Sequence, residues 1–282
     1  MAYKSILTVL THLADVELAV HGAARLARSQ DAHLDVLVLG VDRTQVGYSY
    51  IGSGAVLMQV GIDRAEAEAR ALEAAANAAL AKEFSDLRSS VEAIVTQVGA
   101  LTELVASRAR FADLVVLPRP YGSGASAEAE AVVEAALFDG KAPVLVLPAK
   151  GLGAHAVPRR IVLAWNQSAE AMVAARQALP FLKAAEMVDI TVVDPPSQGE
   201  ERSDPGGMLC QLLVRHGVKA EVSVLARGLP KVSEVLARHV TDQNADMLVM
   251  GAYGHSRFRE AILGGATRNM LTNAEVPVLM AH

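Results

Sequence analysis

Residues 245–282, ADMLVMGAYGHSRFREAILGGATRNMLTNAEVPVLMAH, form the stretch that decides the fold. Residues 247–250 are a short apolar run with the length of a buried parallel strand, and 276–281 are a second such run. Four glycines lie between the two runs: Gly251, Gly254, Gly264 and Gly265. A helical pattern that extends to Asn273 follows the last of them. The stretch therefore predicts a strand, a glycine-rich loop, a helix and a strand.

The glycines and the helix start point to a phosphate-binding loop. Glycine lets the backbone approach a ligand closely and adopt φ values that a side chain forbids. The start of a helix offers unpaired N–H groups and a partial positive charge, which suit a phosphate group. The alternative is a plain crossover loop whose glycines only serve tight turns.

The spacing of these glycines resembles a known signature. Gly251, Gly254 and Gly264 are separated by two and nine residues, as in the nucleotide-binding motif of the universal stress protein family. In that motif a small hydroxyl residue follows the last glycine. Here Gly265 stands where the family usually has Ser, and Thr267 provides the next hydroxyl group.

The order of strands and helices occurs twice along the chain. RFADLVVLP at 110–118 corresponds to QNADMLVMG at 243–251, and KAPVLVLP at 141–148 corresponds to EVPVLMAH at 275–282. Repeated β-α units of this kind predict an α/β fold with parallel sheets that helices cover on both faces. We expect two tandem Rossmann-like open sheets of five mostly parallel strands each. The glycine-rich segment 43–61 is expected to be a loop.

The whole chain is similar to a tandem universal stress protein. The resemblance implies a domain at 1–148 with a degenerate nucleotide site, a linker at 149–158, and a domain at 159–282 that carries the glycine motif. In single-domain relatives the last strand commonly pairs across a two-fold axis. The strands at 143–147 and 276–281 are therefore expected to pair with each other, which would make the chain an intramolecular pseudo-dimer.

Composition excludes several other classes of protein. The formal net charge of the 282 residues is −5, which argues against nucleic acid as a partner, because binding to it depends on Lys and Arg. Cys210 is the single cysteine, so an intrachain disulfide cannot form and a reducing compartment is favoured. No apolar run has the length of a membrane helix. We expect a cytoplasmic protein that binds neither nucleic acid nor membrane.

The resemblance implies an ATP site, with or without Mg²⁺, in the second half of the chain. An Asp at the end of strand one commonly contacts the nucleoside in this family, and Asn166 takes its place here. Val192 and Val193 end strand two and are expected near the base. The other expected ligand-binding residues belong to the motif: Gly251, Tyr253, Gly254, His255, Gly264, Gly265, Ala266 and Thr267. His255 either reaches a phosphate oxygen or is solvated.

The first half lacks these features. Pro118 stands in the position of Gly251, and Thr11 replaces the acid of strand one. Counting back from the last strand puts Glu130 opposite Gly264, where a carboxylate would repel a phosphate group. We therefore expect one nucleotide site, in the second half of the chain.

Three functions remain open. The first is a stress-response regulatory protein that binds ATP or another adenine nucleotide and is recognised by an unknown protein partner, with further homodimerisation conceivable. The second is an interaction protein of the same family without bound nucleotide. The third is a slow ATPase, although no catalytic residue can be named. The sequence contains no GxxxxGK[ST], GxSxG or His-Glu-x-x-His motif, so neither a P-loop enzyme, a hydrolase nor a dedicated metal site is expected.

Overall fold

The computed structural model describes residues 2–44, 54–122, 124–195, 203–252 and 266–282. Contacts among them group the chain into two units. The N-terminal unit consists of Lys4–Pro118 and Gly124–Ala142, and the C-terminal unit of Met1–Tyr3, Arg119–Ser123 and Pro143–His282. Both units are α/β in architecture, as predicted. The division of the sequence at 148 and 159 stays a prediction.

The N-terminal unit is a parallel sheet with the strand order β3-β2-β1-β4. Its strands are β1 (Ser5–Leu10), β2 (His33–Asp42), β3 (Ser89–Gln97) and β4 (Leu114–Pro118). Its helices are α1 (Val16–Gln30), α2 (Gly54–Glu83), α3 (Leu101–Ala109) and α4 (Ala129–Glu134), and a π-helical turn (Ala135–Asp139) extends α4.

The C-terminal unit has the strand order β5-β10-β9-β6-β7-β8. Its strands are β5 (Val144–Leu147), β6 (Arg160–Ala164), β7 (Met187–Val193), β8 (Ala220–Leu225), β9 (Met247–Gly251) and β10 (Val278–Ala281). Its helices are α5 (Ala169–Gln177), α6 (Leu179–Ala184), α7 (Gly207–Arg215), α8 (Val232–Asp242) and α9 (Ala266–Asn273). Strands β6 to β10 pair in parallel.

The predicted pairing of the two last strands is confirmed. β5 and β10 are antiparallel neighbours, with Val146 opposite Val278 and Val144 opposite Met280. β5 therefore extends the sheet of the C-terminal unit, although its sequence belongs to the first repeat.

Burial follows the hydrophobic pattern of the strands. In β4 and β9 the first four residues are all buried, which is typical of parallel strands with helices on both faces. In the outer strand β3 the residues mostly alternate between half-buried and exposed. Continuous apolar runs thus identify central strands, and alternation identifies an outer one.

Helix α2 begins earlier than the sequence pattern predicts. The pattern favours a loop over 43–61 because of its glycines, but the helix starts at Gly54. Leu57, Met58 and their neighbours favour helix, and this outweighs the cost of a helical glycine, which is about 1 kcal/mol. Residues 45–53 of the expected loop lie outside the described residues.

One carboxylate in each repeat connects two neighbouring strands. Asp113, which precedes β4, accepts hydrogen bonds from the backbone N–H groups of Lys4 (2.7 Å) and Ser5 (3.1 Å) at the start of β1. Asp246, which precedes β9, accepts them from Arg159 (2.8 Å) and Arg160 (3.0 Å) at the start of β6. The two Asp residues occupy equivalent positions and satisfy backbone donors where the strand ladder ends.

We predict that Asp246→Ala lowers the free energy of unfolding by about 1 kcal/mol, because the variant leaves two N–H groups without their acceptor. Asp246→Asn keeps an acceptor oxygen and should lose less. Urea unfolding measures both variants. Asp242→Ala is the control, since Asp242 forms only an exposed pair with Arg238, at 3.6 Å. Equal stabilities of the Asp246→Ala variant and the wild type would contradict this role.

Candidate functional site

The strand order of the C-terminal unit reverses between β6 and β9. The chain leaves β6 toward β7 and β8 on one side, and later adds β9 and β10 on the other side. The carboxyl ends of β6 and β9 therefore lie at a switch point of the strand order. In open α/β sheets, ligands bind at the carboxyl ends of the strands at such a switch point.

The loop after β6 is a tight polar turn. Trp165 is 6% exposed and donates its backbone N–H to Thr191 (2.9 Å), so the pairing of β6 with β7 extends by one residue. The exposed Asn166 accepts a hydrogen bond from the N–H of Ser168 through Oδ1 (3.2 Å). Ser168 caps α5 by accepting from the N–H of Ala171 through Oγ (3.1 Å). The turn thus holds Asn166 at the carboxyl end of β6.

The two valines that end β7 differ in accessibility. Val192 is 3% exposed and packs beneath Gly206 at the start of α7, where an added β carbon would lie 3.4 Å from the Val192 side chain. Val193 is half-buried, and its side chain lies on the opposite face of the sheet. Of the two, only Val193 therefore offers accessible surface to a ligand.

Gly251 ends β9 against the start of α5. A β carbon at this position would lie 2.5 Å from the backbone nitrogen of Ala171 and 2.7 Å from the carbonyl carbon of Glu170. Backbone atoms cannot move aside as a flexible side chain can. The approach of α5 to β9 is therefore a sufficient reason for glycine here, apart from any ligand.

The residue after Gly251 is fixed to the end of the chain. The N–H of Ala252 donates to the carbonyl oxygen of Ala281 (2.9 Å). The carbonyl oxygen of Ala252 lies 3.0 Å from Nδ1 of His282. The predicted phosphate-binding segment thus begins at a strand end that these hydrogen bonds hold in place.

Helix α9 directly follows the last glycine of the motif in the sequence. It begins at Ala266, and Thr267 is 2% exposed. The Thr267 hydroxyl group is thus enclosed by protein, while the next residue, Arg268, is exposed. Met270 and Leu271 are buried and hold the helix on the sheet.

Part of the predicted site lies at one edge of the sheet. Asn166 follows β6, Val193 ends β7 and Gly251 ends β9, and these three strands are neighbours with parallel pairing. Five of the predicted residues lie outside the described residues: Tyr253, Gly254, His255, Gly264 and Gly265.

Sequence reasoning missed three residues next to the candidate site. The position of Ser168 before a helical run is a recognisable capping signal. Arg119 donates from Nη1 to the carbonyl oxygen of Thr272 (3.1 Å), and Tyr121 lies against Arg268 of α9. Arg119 and Tyr121 come from the first repeat, far away along the chain, and no local pattern signals their contacts.

The equivalent edge of the N-terminal unit is filled by its own side chains. Thr11 Oγ1 lies 3.0 Å from Ser126 Oγ, and the cavity beside them, which Ala129 and Val132 also line, measures about 10 Å³. A cavity of that size holds roughly one water molecule. The start of α4 therefore occupies the space in which a ligand would lie.

An ion pair holds this start of α4 in place. Glu128 is buried and accepts from Nε of Arg43 (2.6 Å), and Nη1 of Arg43 lies 3.1 Å from Glu68. The hydrogen bond to Glu128 raises the pKa of the Arg43 guanidinium above its usual range. The segment from Ser126 to Ala129 is thereby fixed in its blocking position.

A buried polar cluster lies under α8 in the C-terminal unit. Asp189 on β7 accepts hydrogen bonds from the hydroxyl groups of Thr191 (3.0 Å) and Ser223 (2.8 Å), and its Oδ2 lies 3.0 Å from Nε2 of His239. The Ser hydroxyl donates to the Asp rather than to the His. The cluster thus lacks the Ser–His hydrogen bond of a hydrolase and serves to satisfy a buried carboxylate.

The single thiol is not an activated nucleophile. Burial raises the pKa of Cys210 above its usual value, and the negative charge of Asp204 raises it further. Little thiolate is then present at neutral pH, so reactivity is low.

Comparisons with known proteins relate the second half of the chain to one family. Residues 158–282 match the model of the universal stress protein family. A universal stress protein from Synechocystis sp. is 28% identical over 125 residues, which are 43% of this chain and 41% of the relative. The match thus spans about two fifths of the relative's length. The second half of the chain is therefore similar to the universal stress protein family.

Solved structures extend the likeness of the fold to the whole chain. A universal stress protein from Archaeoglobus fulgidus superposes with a TM-score of 0.65 at 17% identity, covering 98% of this chain and 95% of that one. A putative universal stress protein from Pseudomonas aeruginosa gives 0.58 at 16% identity, covering 99% and 93%. At these identities the comparison establishes a shared fold.

Two other kinds of site are absent from the described residues. No helix there combines the length and apolar character needed to cross a membrane. In the same ranges, no group of three or more His, Cys, Asp or Glu side chains has an arrangement suited to a metal ion.

We predict that Gly251→Ala lowers the free energy of unfolding by about 1–3 kcal/mol even without nucleotide, because the new methyl group overlaps the backbone of α5. Urea unfolding of the ligand-free protein measures the loss. Gly153→Ala is the matched control, because a β carbon at that position meets no atom within 4 Å. An unchanged stability with weakened ATP binding would show instead that Gly251 serves the ligand alone.

Proposed function

We propose that this protein binds one adenine nucleotide, ATP in the first instance, at the carboxyl edge of β6 and β9. The observation that carries the proposal is the position of the glycine motif relative to the fold. The motif begins with Gly251, the last residue of β9, and its last two glycines directly precede Ala266, the first residue of α9. A glycine loop between a strand and a helix start, at a switch point of the sheet, is suited to a phosphate group.

In the proposed complex, the nucleoside and the phosphates contact different residues. The nucleoside lies against Asn166 and the accessible surface of Val193. Asn166 donates and accepts hydrogen bonds but adds no charge. The phosphates lie against the backbone N–H groups at the start of α9, together with Mg²⁺ if the bound form is the magnesium complex.

We propose a regulatory role rather than turnover. No general base or arginine finger for ATP hydrolysis can be named from the sequence. Bound nucleotide would stabilise one conformation of the glycine loop, which a protein partner or a second copy of the chain recognises. In this proposal the protein acts in the cytoplasm during a stress response, and its single cysteine, which cannot form an intrachain disulfide, fits such a reducing compartment.

A second candidate is an interaction protein that has lost the nucleotide. Two observations favour it. The packing of α5 is by itself a sufficient reason for glycine at position 251, and the turn to Ser168 already uses the Oδ1 of Asn166. The two candidates differ in a directly measurable property, the affinity for ATP.

We predict that Gly264→Glu weakens ATP binding by at least about a hundredfold, since a carboxylate beside the phosphates costs several kcal/mol. The variant gives the second repeat the residue that the first repeat has at Glu130. Isothermal titration calorimetry with MgATP measures the affinity, and thermal unfolding checks the fold.

Gly153→Glu adds the same charge where space is open and should bind like the wild type. Wild-type affinity in the Gly264→Glu variant would show that the site is wrongly assigned. A wild-type protein that binds no adenine nucleotide would favour the interaction protein.

A further inference from the structure

The N-terminal unit contains a cavity near the amino ends of its strands, whereas the predicted nucleotide site lies at carboxyl ends. The volume of this cavity is about 180 Å³. An engineered cavity of about 150 Å³ accepts benzene, so this one has room for a ligand with one ring. Its polar and aromatic lining residues come from β1, β2, β3 and the end of α3: Ser5, Asp35, Ser90, Glu92, Arg108 and Phe111.

The second repeat has almost no space at the equivalent position. Ser5 and Arg160 both pair with the first residue of the second strand of their repeat, and are therefore equivalent. Ser90 and Glu221 both pair with the third residue of that strand. The cavity that Arg160 and Glu221 line measures about 10 Å³. Two short serines in place of two long side chains thus leave the space open in the first repeat.

An Asp lines the cavity in both repeats, but its surroundings differ. The side chain of Asp189 is 6% exposed and has three donors, Thr191, Ser223 and His239. The side chain of Asp35 is 45% exposed. The strand registers, and the position seven residues before Asp113 or Asp246, give the first-repeat equivalents of the three donors: Leu37, Glu92 and Ala106. None of these side chains donates a hydrogen bond at neutral pH.

Asp35 therefore has a carboxylate oxygen available for a ligand. Its Oδ1 accepts from the hydroxyl group of Ser90 (2.6 Å) and lies 3.4 Å from Nε2 of His33. Its Oδ2 makes no hydrogen bond within the part of the chain that the structure describes. A half-buried carboxylate beside a cavity favours a cation with N–H groups, because charge-assisted hydrogen bonds are the strong ones.

The other side chains around the cavity also suit a cation. Arg108 is the only cationic side chain among the described lining residues, and its Nη2 donates to Oε1 of Glu92 at 2.7 Å. The charge of Arg108 thus offsets that of Glu92 and leaves Asp35 without a guanidinium or ammonium partner. Phe111, which follows α3, offers an exposed ring on which a cation can lie.

We infer that the N-terminal unit binds a small organic cation in this cavity, with an amidinium or guanidinium group on an apolar body of about one ring. The N–H groups of the ligand donate to Asp35, in place of the donors that Asp189 has in the second repeat. A planar fork of N–H groups matches the two oxygens of a carboxylate. The apolar body lies against Phe111. This site shares no residue with the proposed nucleotide site and does not depend on it.

Benzamidine is the probe, because it combines an amidinium group with a single ring. Shifts of backbone amide signals in NMR spectra of the full chain measure its binding. We expect a dissociation constant on the order of 1 mM, with the largest shifts around Asp35, Glu92 and Phe111. Benzamide has the same ring without the charge and should bind at least about tenfold more weakly.

Three variants and a control test the residues of the site. Asp35→Asn should weaken benzamidine binding about tenfold or more, because the amide has no charge. Ser5→Arg introduces the residue of the second repeat, which fills the cavity and pairs with Asp35, and should abolish binding. Phe111→Leu should weaken binding about two- to fivefold, the order of a cation–π contact. Glu103→Gln removes an exposed charge on α3 away from the cavity and should bind like the wild type.

Thermal unfolding shows which variants are folded, and the outcomes then decide. Loss of binding in folded Asp35→Asn and Ser5→Arg variants supports the site. Wild-type affinity in those two variants overturns it, as does a wild type that shows no shifts at several times the expected dissociation constant. Equal affinities for benzamidine and benzamide overturn the choice of a cation. The nucleotide proposal stands or falls separately, by the affinity for ATP.

Discussion

The close approach of β9 to the start of α5 is the constraint on which the candidate site depends. Gly251 has no β carbon, and the backbone of α5 occupies the space that one would need. This packing fixes the position of α5 against the carboxyl end of β9. The cap on α5 comes from Ser168, whose N–H in turn holds Asn166. The contact of Gly251 with the backbone of α5 therefore connects the carboxyl end of β9 with that of β6.

The two repeats diverge at this edge of the sheet. The structural carboxylates Asp113 and Asp246 make equivalent hydrogen bonds at the opposite edge. At the carboxyl edge, the first repeat fills the space with Ser126 and with Glu128, a buried carboxylate that pairs with the exposed Arg43. The fold has thus been kept in both copies, whereas the first copy fills this edge with its own side chains.

Much of the fold could be predicted from the sequence because parallel strands between helices are short continuous apolar runs. The strands predicted at 247–250 and 143–147 agree with β9 and β5 to within one residue, and the dipeptide Ala-Asp before an apolar run places β4 and β9. The predicted start of α2 was wrong because glycine favours a loop locally, whereas the neighbouring Leu and Met residues favour the helix. Its first turns are exposed, so no buried face marks them in the pattern.

The candidate site was less predictable, for reasons that depend on tertiary packing. The spacing of the glycines cannot show whether Gly251 is required by a ligand or by the packing of α5. The structure shows that the packing of α5 is a sufficient reason. The same contact with the base was predicted for Val192 and Val193, although only Val193 has accessible surface. The contact of Tyr121 with Arg268 joins positions far apart along the chain and leaves no local signature.

The most direct test of the central claim, a single nucleotide site in the second repeat, is the nucleotide content of the protein as purified without added ligand. The protein is denatured, and the released adenine nucleotides are separated by chromatography and quantified per chain. The account predicts one nucleotide per chain. Two per chain would contradict the blocked first repeat. None, together with no thermal stabilisation by MgATP, would contradict nucleotide binding altogether.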